Sequence, residues 1–172
     1  MTNGVICYDS SMKVLGIDPG YGRCGVAVLE KTSHKHILLY SDCIETSAKD
    51  EFGPRLAMVI SSCETVLKSF HPDCVAIEKL FFTNNAKTAM HVAEVRGALI
   101  NMASRAGISL AEYTPAQIKN ASTGSGRADK KQITKMLHML VDINKEIKHD
   151  DEYDAIAVGI THLAMYRPLI ER

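Results

Sequence analysis

Between residues 55 and 78 the hydrophobic period changes, and the change limits the folds open to this chain. From 55 to 70, Leu56, Val59, Ile60, Cys63, Val66, Leu67 and Phe70 recur at spacings of three and four, the pattern of an amphipathic helix. Pro72 ends it, because a proline drives the residue before it out of helical geometry. Residues 74 to 78 (CVAIE) are then almost wholly apolar. A strand of that composition is covered on both faces, so helices must lie on both sides of a sheet.

The segments on either side extend this reading. Residues 13 to 18 (KVLGID) form a buried strand, a PGYG turn follows, and residues 24 to 30 and 34 to 45 supply two more strands. Short joints between the three imply an antiparallel meander. A helix of about 20 residues begins near Ala86 and stops at Gly107. It carries two apolar stripes, Val92, Val95, Leu99 and Met102 on one and Ala86, Met90, Ala93, Gly97 and Ile100 on the other. Two stripes need two partners, one of them the sheet. A fifth strand follows at 108 to 113, then a short helix opened by Thr114-Pro115, an STGSG loop, a basic helix from Asp129 and a last helix from about 151 to 166. The expected fold is α/β in the order β-β-β-α-β-α-β-α-α-α. Its mixed sheet has five strands, three antiparallel and two parallel, flanked by helices. Residues 1–12 are an N-terminal extension and 13–172 a single domain, a comfortable length for one core.

Composition excludes several classes. No apolar run approaches the roughly 18 residues that span a bilayer, and the first residues lack the basic start and apolar stretch of a signal peptide. Cys7, Cys24, Cys43, Cys63 and Cys74 are odd in number and never spaced as CxxC. They read as small buried residues of a cytoplasmic protein rather than a disulfide framework or zinc site. Net charge is zero, yet its distribution is uneven. Lys119, Arg127, Lys130, Lys131 and Lys135 face one acid between 119 and 135, and six acids crowd residues 142 to 154. A basic segment beside an acidic one suits phosphates next to metal-holding carboxylates.

Four acids occupy element ends. Asp18 closes the first strand and Glu78 the most buried one, where an unpaired charge is costly unless a cation meets it. Asp151 and Asp154, three apart before AIAVGI, share one helix face in a first turn. Taken singly, each has an ordinary explanation as a turn residue, an ion pair or a helix cap. Together they offer hard oxygen donors that suit Mg²⁺ or Mn²⁺. Such a cluster can hold two ions roughly 4 Å apart for in-line attack on a phosphodiester. His91, His138 and His162 read as packing or surface residues.

The blocks LGIDPGYGRCGVAV, AIEKLFFTNNAKTA and DDEYDAIAVGITH resemble the three signatures of the RuvC family of Holliday-junction resolvases, and the likeness runs from about residue 13 to 165. It implies a ribonuclease H-like fold with Asp18, Glu78, Asp151 and Asp154 as catalytic metal ligands, with Mg²⁺ (Mn²⁺ substituting) as cofactor at two ions per site. It implies DNA contacts from Phe81 or Phe82 at the junction centre and from Lys119 and Lys130. Arg127 and Lys131 are added as neighbouring cations. The implied substrate is a four-way DNA junction cut symmetrically in recombination and repair. The implied partners are a second copy of the chain and the branch-migration proteins RuvA and RuvB, with no membrane. The homodimer gives the second helical stripe a use. The rival readings are a small ribonuclease H-like RNA-processing nuclease (YqgF type) and a junction-binding protein without cleavage. An actin-like ATPase, which shares the opening turn, needs two lobes.

Overall fold

The computed structural model describes residues 12–79 and 86–166. Most of the N-terminal extension, and both Phe81 and Phe82, lie outside the described residues. The elements run β1 (Lys13–Asp18), β2 (Arg23–Glu30), β3 (His36–Glu45), α1 (Phe52–Phe70), β4 (Cys74–Glu78), α2 (Ala86–Arg105), β5 (Ser109–Tyr113), α3 (Pro115–Thr123), α4 (Lys130–Leu140), β6 (Val141–Asp142) and α5 (Asp150–Met165).

The sheet has six strands in the order β5-β4-β1-β2-β3-β6, one more than expected. β1, β2 and β3 form the antiparallel meander, and β4 and β5 extend it in parallel beyond β1. The additional strand is only Val141 and Asp142, paired in parallel with His36 and Ile37. Two residues at the end of a helix carry no period, so alternation could not reveal it. The first long helix begins at Phe52, three residues before the start expected at residue 55.

Strand alternation divides the core in two. Leu15, Ile17, Val26, Val28, Val75 and Ile77 face one way, onto Val59, Cys63, Val95 and Leu99 of α1 and α2. Val14, Ala27, Leu29, Cys74 and Ala76 face the other way, onto Ile156 and Ile160 of α5 and Ile133 and Leu137 of α4. The run CVAIE is therefore central, between parallel neighbours on both sides. The first stripe of α2 packs as expected: Val95 and Leu99 are fully buried and Met102 nearly so, with Val92 at the margin. On the second stripe Met90, Ala93 and Gly97 are exposed and Ile100 is partly buried.

Candidate active site

Register and parity bring two of the four acids together before any side chain is considered. β1 and β4 are parallel neighbours with Ile17 opposite Ile77, so Asp18 and Glu78 leave the sheet at the same edge. Gly16 and Ala76 face α5, and residues two further along a strand face the same way. Asp18 and Glu78 thus emerge on the α5 side.

Helix α5 meets them because the sheet is bare beneath it at Gly16 and Gly25. A Cβ on Gly25 would collide with the Asp151 carbonyl oxygen, and one on Gly16 with that of Ala155. Gly25 pairs with Asp18 across the meander. The first turn of α5, with Asp151 and Asp154, is consequently seated next to Asp18. Ala155, Val158 and Leu163 are buried as the apolar face required. The two aspartates are only partly covered, at 21% and 39% side-chain exposure, which leaves their oxygens accessible at the rim.

The electrostatics record this convergence. The Asp18 carboxyl is pushed up from 3.8 to about 7, by burial first and then by Asp154, Glu78 and Asp151, with Lys130 opposing. Burial also raises Glu78, helped by Asp154 and opposed by Lys119. Asp154 is raised by burial, Lys130 pulls it back down, and Asp151 and Asp150 add to the rise. Two cations lean on the cluster: Arg23 Nε lies 3.5 Å from Asp151 Oδ2, and Lys130 Nζ lies 3.7 Å from Asp154 Oδ2. Among the described residues no three of these acids bring oxygens all within 4.8 Å of one another, Asp151 being paired with Arg23 and Asp154 with Lys130.

The basic residues divide into two groups. Lys119 lines a cleft with Glu78 and Asp154, walled by Ile118 and Ile133. Thr114 sets up that wall, its side chain capping α3 in a reciprocal box with Gln117. Lys130 stands at the start of α4, which Asp129 and Gln132 cap in the same way. Arg127 and Lys131 are exposed beside it.

Several residues of the site were not anticipated. Arg23 follows the PGYG turn without any sign that it reaches α5. Arg96 of α2 donates from Nε to the Glu78 carbonyl at 3.3 Å and forms an ion pair with Glu112, tying β4 and β5 to the helix. Tyr21 packs edge-on to Phe52 and His91 and carries Arg55 over its face at 4.6 Å. Phe52 stacks on His91 at 4.1 Å. This cluster braces the turn after Asp18, and His91 is a packing residue, as its place within a helix suggested. His138 contacts the Tyr153 hydroxyl at 3.0 Å. His162 is buried against the Tyr113 hydroxyl at 2.8 Å, in the core rather than at the acid cluster.

Comparison with known proteins gives one consistent result. The sequence model of the family described as "Crossover junction endodeoxyribonuclease RuvC" matches residues 14–162. The protein of that name from Thermosipho melanesiensis is 43% identical over 148 residues, covering 86% of this chain and 94% of the relative. The one from Halothermothrix orenii is 38% identical over 156 residues, covering 91% and 94%. Among solved structures, T. thermophilus RuvC in complex with Holliday junction substrate superposes with a TM-score of 0.82 at 31% identity, covering 88% of this chain and 92% of that one. The yeast mitochondrial Holliday junction resolvase shares the fold with a TM-score of 0.70 at 14% identity, covering 90% and 78%. Fold, length and sequence agree, and the chain belongs to the RuvC family of crossover junction endodeoxyribonucleases.

Proposed function

We propose that this chain resolves four-way DNA junctions by paired, symmetric, metal-dependent hydrolysis of phosphodiester bonds. The observation that carries the reading is the convergence of Asp18, Glu78, Asp151 and Asp154, from two strand ends and one helix start, on a single sheet edge. Family membership supports the substrate.

Mg²⁺, or Mn²⁺ in its place, is the cofactor that the donors favour. All four are carboxylates, and the raised Asp18 carboxyl shows a cluster that a cation would relieve. Two such ions, when bound, supply an activated water and a stabilised leaving oxygen. The chain's own residues do the rest. Asp18 and Glu78 form the fixed side of the site, on adjacent strands. Asp151 and Asp154 complete it from α5. Lys119, in the cleft with Glu78 and Asp154, and Lys130, beside Asp154, are placed to bind backbone phosphates around the scissile bond. Arg127 and Lys131 extend the cationic rim along α4. Phe81 or Phe82, between Glu78 and α2 in sequence, is assigned the stacking contact at the junction centre. Assembly with a second copy, and with RuvA and RuvB, belongs to the same proposal. Family membership supports both, and the exposed stripe of α2 supports the first.

The test is to incubate the protein and Mg²⁺ with a synthetic junction, a duplex and a structured RNA. Symmetric junction nicks, absent without divalent cation and absent in Asp18→Asn while junction binding persists, are expected. RNA cleavage with intact junctions would replace the reading by an RNA-processing nuclease, and binding without nicks by a junction-binding protein.

A further inference from the structure

Beside the acid cluster, on the α5 side of β3, lies a set of donors of different chemistry. Ser41, Cys43 and Glu45 alternate along β3 and so point to one face. Ser41 reaches Glu152 of α5 with a 2.8 Å hydrogen bond. Glu45 reaches His149, with 3.8 Å between Oε1 and Nδ1. Between them Cys43 is buried, and its Sγ, a Glu45 oxygen and a His149 ring nitrogen all lie within 4.8 Å of one another. Among the described residues this is the one set of three potential ligands that meets so closely.

His149 is the residue on which α5 begins, yet its side chain makes no capping hydrogen bond. The imidazole is thus not engaged by the helix N-terminus and is turned to Glu45. Burial first, and then Asp151 and Glu45, push the Cys43 thiol up to about 12, with Arg23 opposing.

We propose that Cys43, Glu45 and His149 form a second metal site, separate from the four-carboxylate cluster and selective for Zn²⁺ or a transition ion of similar softness. Thiolate and imidazole donors select such ions over Mg²⁺. Three protein ligands with an open fourth position is a common zinc arrangement. Ligand atoms about 2.0–2.3 Å from a tetrahedral ion stand on the order of 3.5 Å apart, so Glu45 and His149, at 3.8 Å, are already near that spacing and Cys43, within 4.8 Å of both, needs only a small closure. Glu45 is exposed and His149 partly exposed, so neither is locked in place by the core. On binding, the Cys43 S–H gives its proton to solvent as the S–metal bond forms. The ion then joins the end of β3 to the start of α5, two residues before Asp151.

Co²⁺ is the probe, because only a thiolate ligand gives its near-ultraviolet charge-transfer absorption. Adding Co²⁺ to the reduced full-length protein should produce that band, and Zn²⁺ should abolish it by displacement. Asp18→Asn should keep the band, which separates this site from the four carboxylates whatever their role. Cys43→Ser should remove it, and His149→Gln should weaken Zn²⁺ binding by roughly tenfold or more. His149 is partly exposed, so its variant should keep the wild-type Tm without metal even if Cys43→Ser folds poorly. No band in the wild-type protein, a band that survives Cys43→Ser, or Zn²⁺ affinity unchanged in His149→Gln would each overturn the proposal.

Discussion

Lys145 Nζ donates to Glu152 Oε2 at 2.8 Å, and Glu152 is the most deeply buried acid of the DDEYD run, at 3% exposure. The same oxygen accepts from Ser41 Oγ at 2.8 Å. Burial alone would raise this carboxyl, but the hydrogen bonds from Lys145 and Ser41 outweigh it and hold it below the usual carboxylate range. Glu152 therefore anchors the first turn of α5, while its neighbours Asp151 and Asp154 keep their oxygens accessible at the rim. Glu152→Ala should destabilise the protein by about 2–3 kcal/mol in urea unfolding, through the stranded partners. Asp150→Ala, at a residue whose side chain is 77% exposed, should stay within about 0.5 kcal/mol. Equal effects would show that Glu152 is not the anchor.

Asp18 links activity to stability in the opposite sense. Its folded value, about 7, lies above the ordinary 3.8. Between those pH values the folded state holds a proton that the unfolded chain has released, so stability falls as pH rises through the window. Asp18→Asn should abolish cleavage yet raise stability at pH 8 without divalent cation, by on the order of 2 kcal/mol. Mg²⁺ should raise Tm more in the wild type than in the variant. A less stable Asn variant would show that the acids do not repel one another as described.

His162 has the reverse pH dependence. Burial first, and then Lys31, lower its proton affinity below the ordinary 6.5. As pH falls below 6.5 the unfolded chain binds a proton that the folded state refuses, so stability declines with acid. The decline should flatten in His162→Gln, measured as the urea midpoint at pH 7.5, 6 and 5. An unaltered slope would assign the acid sensitivity elsewhere.

Lys119 and Lys130 predict a salt signature. If each meets a DNA phosphate, replacement by Ala should weaken junction binding similarly for all junction sequences. Each replacement should also reduce the slope of log K against log salt by about 1. A slope unchanged in both variants would remove these lysines from the interface.

The open stripe of α2 predicts an assembly. Among the described residues, a Cβ added at Gly97 would meet nothing within 4 Å, and Met90 on the same face is 63% exposed. Gly97→Asp or Ile100→Glu should leave the fold intact and give monomers in sedimentation. A persistent dimer would move the interface off this helix.

Much of this was legible before any coordinates, for definite reasons. CVAIE declared itself a central strand because a strand between parallel neighbours has no polar face. Asp18 and Glu78 each end an apolar run with a charge, but singly each had an ordinary explanation, and only the four acids together with the family blocks singled them out. The spacing of Asp151 and Asp154 fixed their common face. What escaped were relationships that no local period encodes. The pairing of Arg23 with Asp151 depends on how α5 is seated. Val141 and Asp142 are too short to alternate. Glu152 was hidden among three neighbouring acids, although its phase would have revealed it: it precedes Ile156 by four residues and shares that buried stripe, whereas Asp150 does not.

The bare backbone beneath α5 has a consequence for how such a chain can diverge. Where helix and sheet meet at Gly16 and Gly25, main chain rests against main chain, so the acids are spaced by covalent geometry and not by the size of packed side chains. The aliphatic residues around them can be exchanged at small cost without moving this edge, provided total volume is kept. One methyl group at position 25 would lift the helix directly at Asp151. Under this helix, tolerance to change is broad among the packed side chains and vanishes at Gly16 and Gly25, which have no side chain to alter.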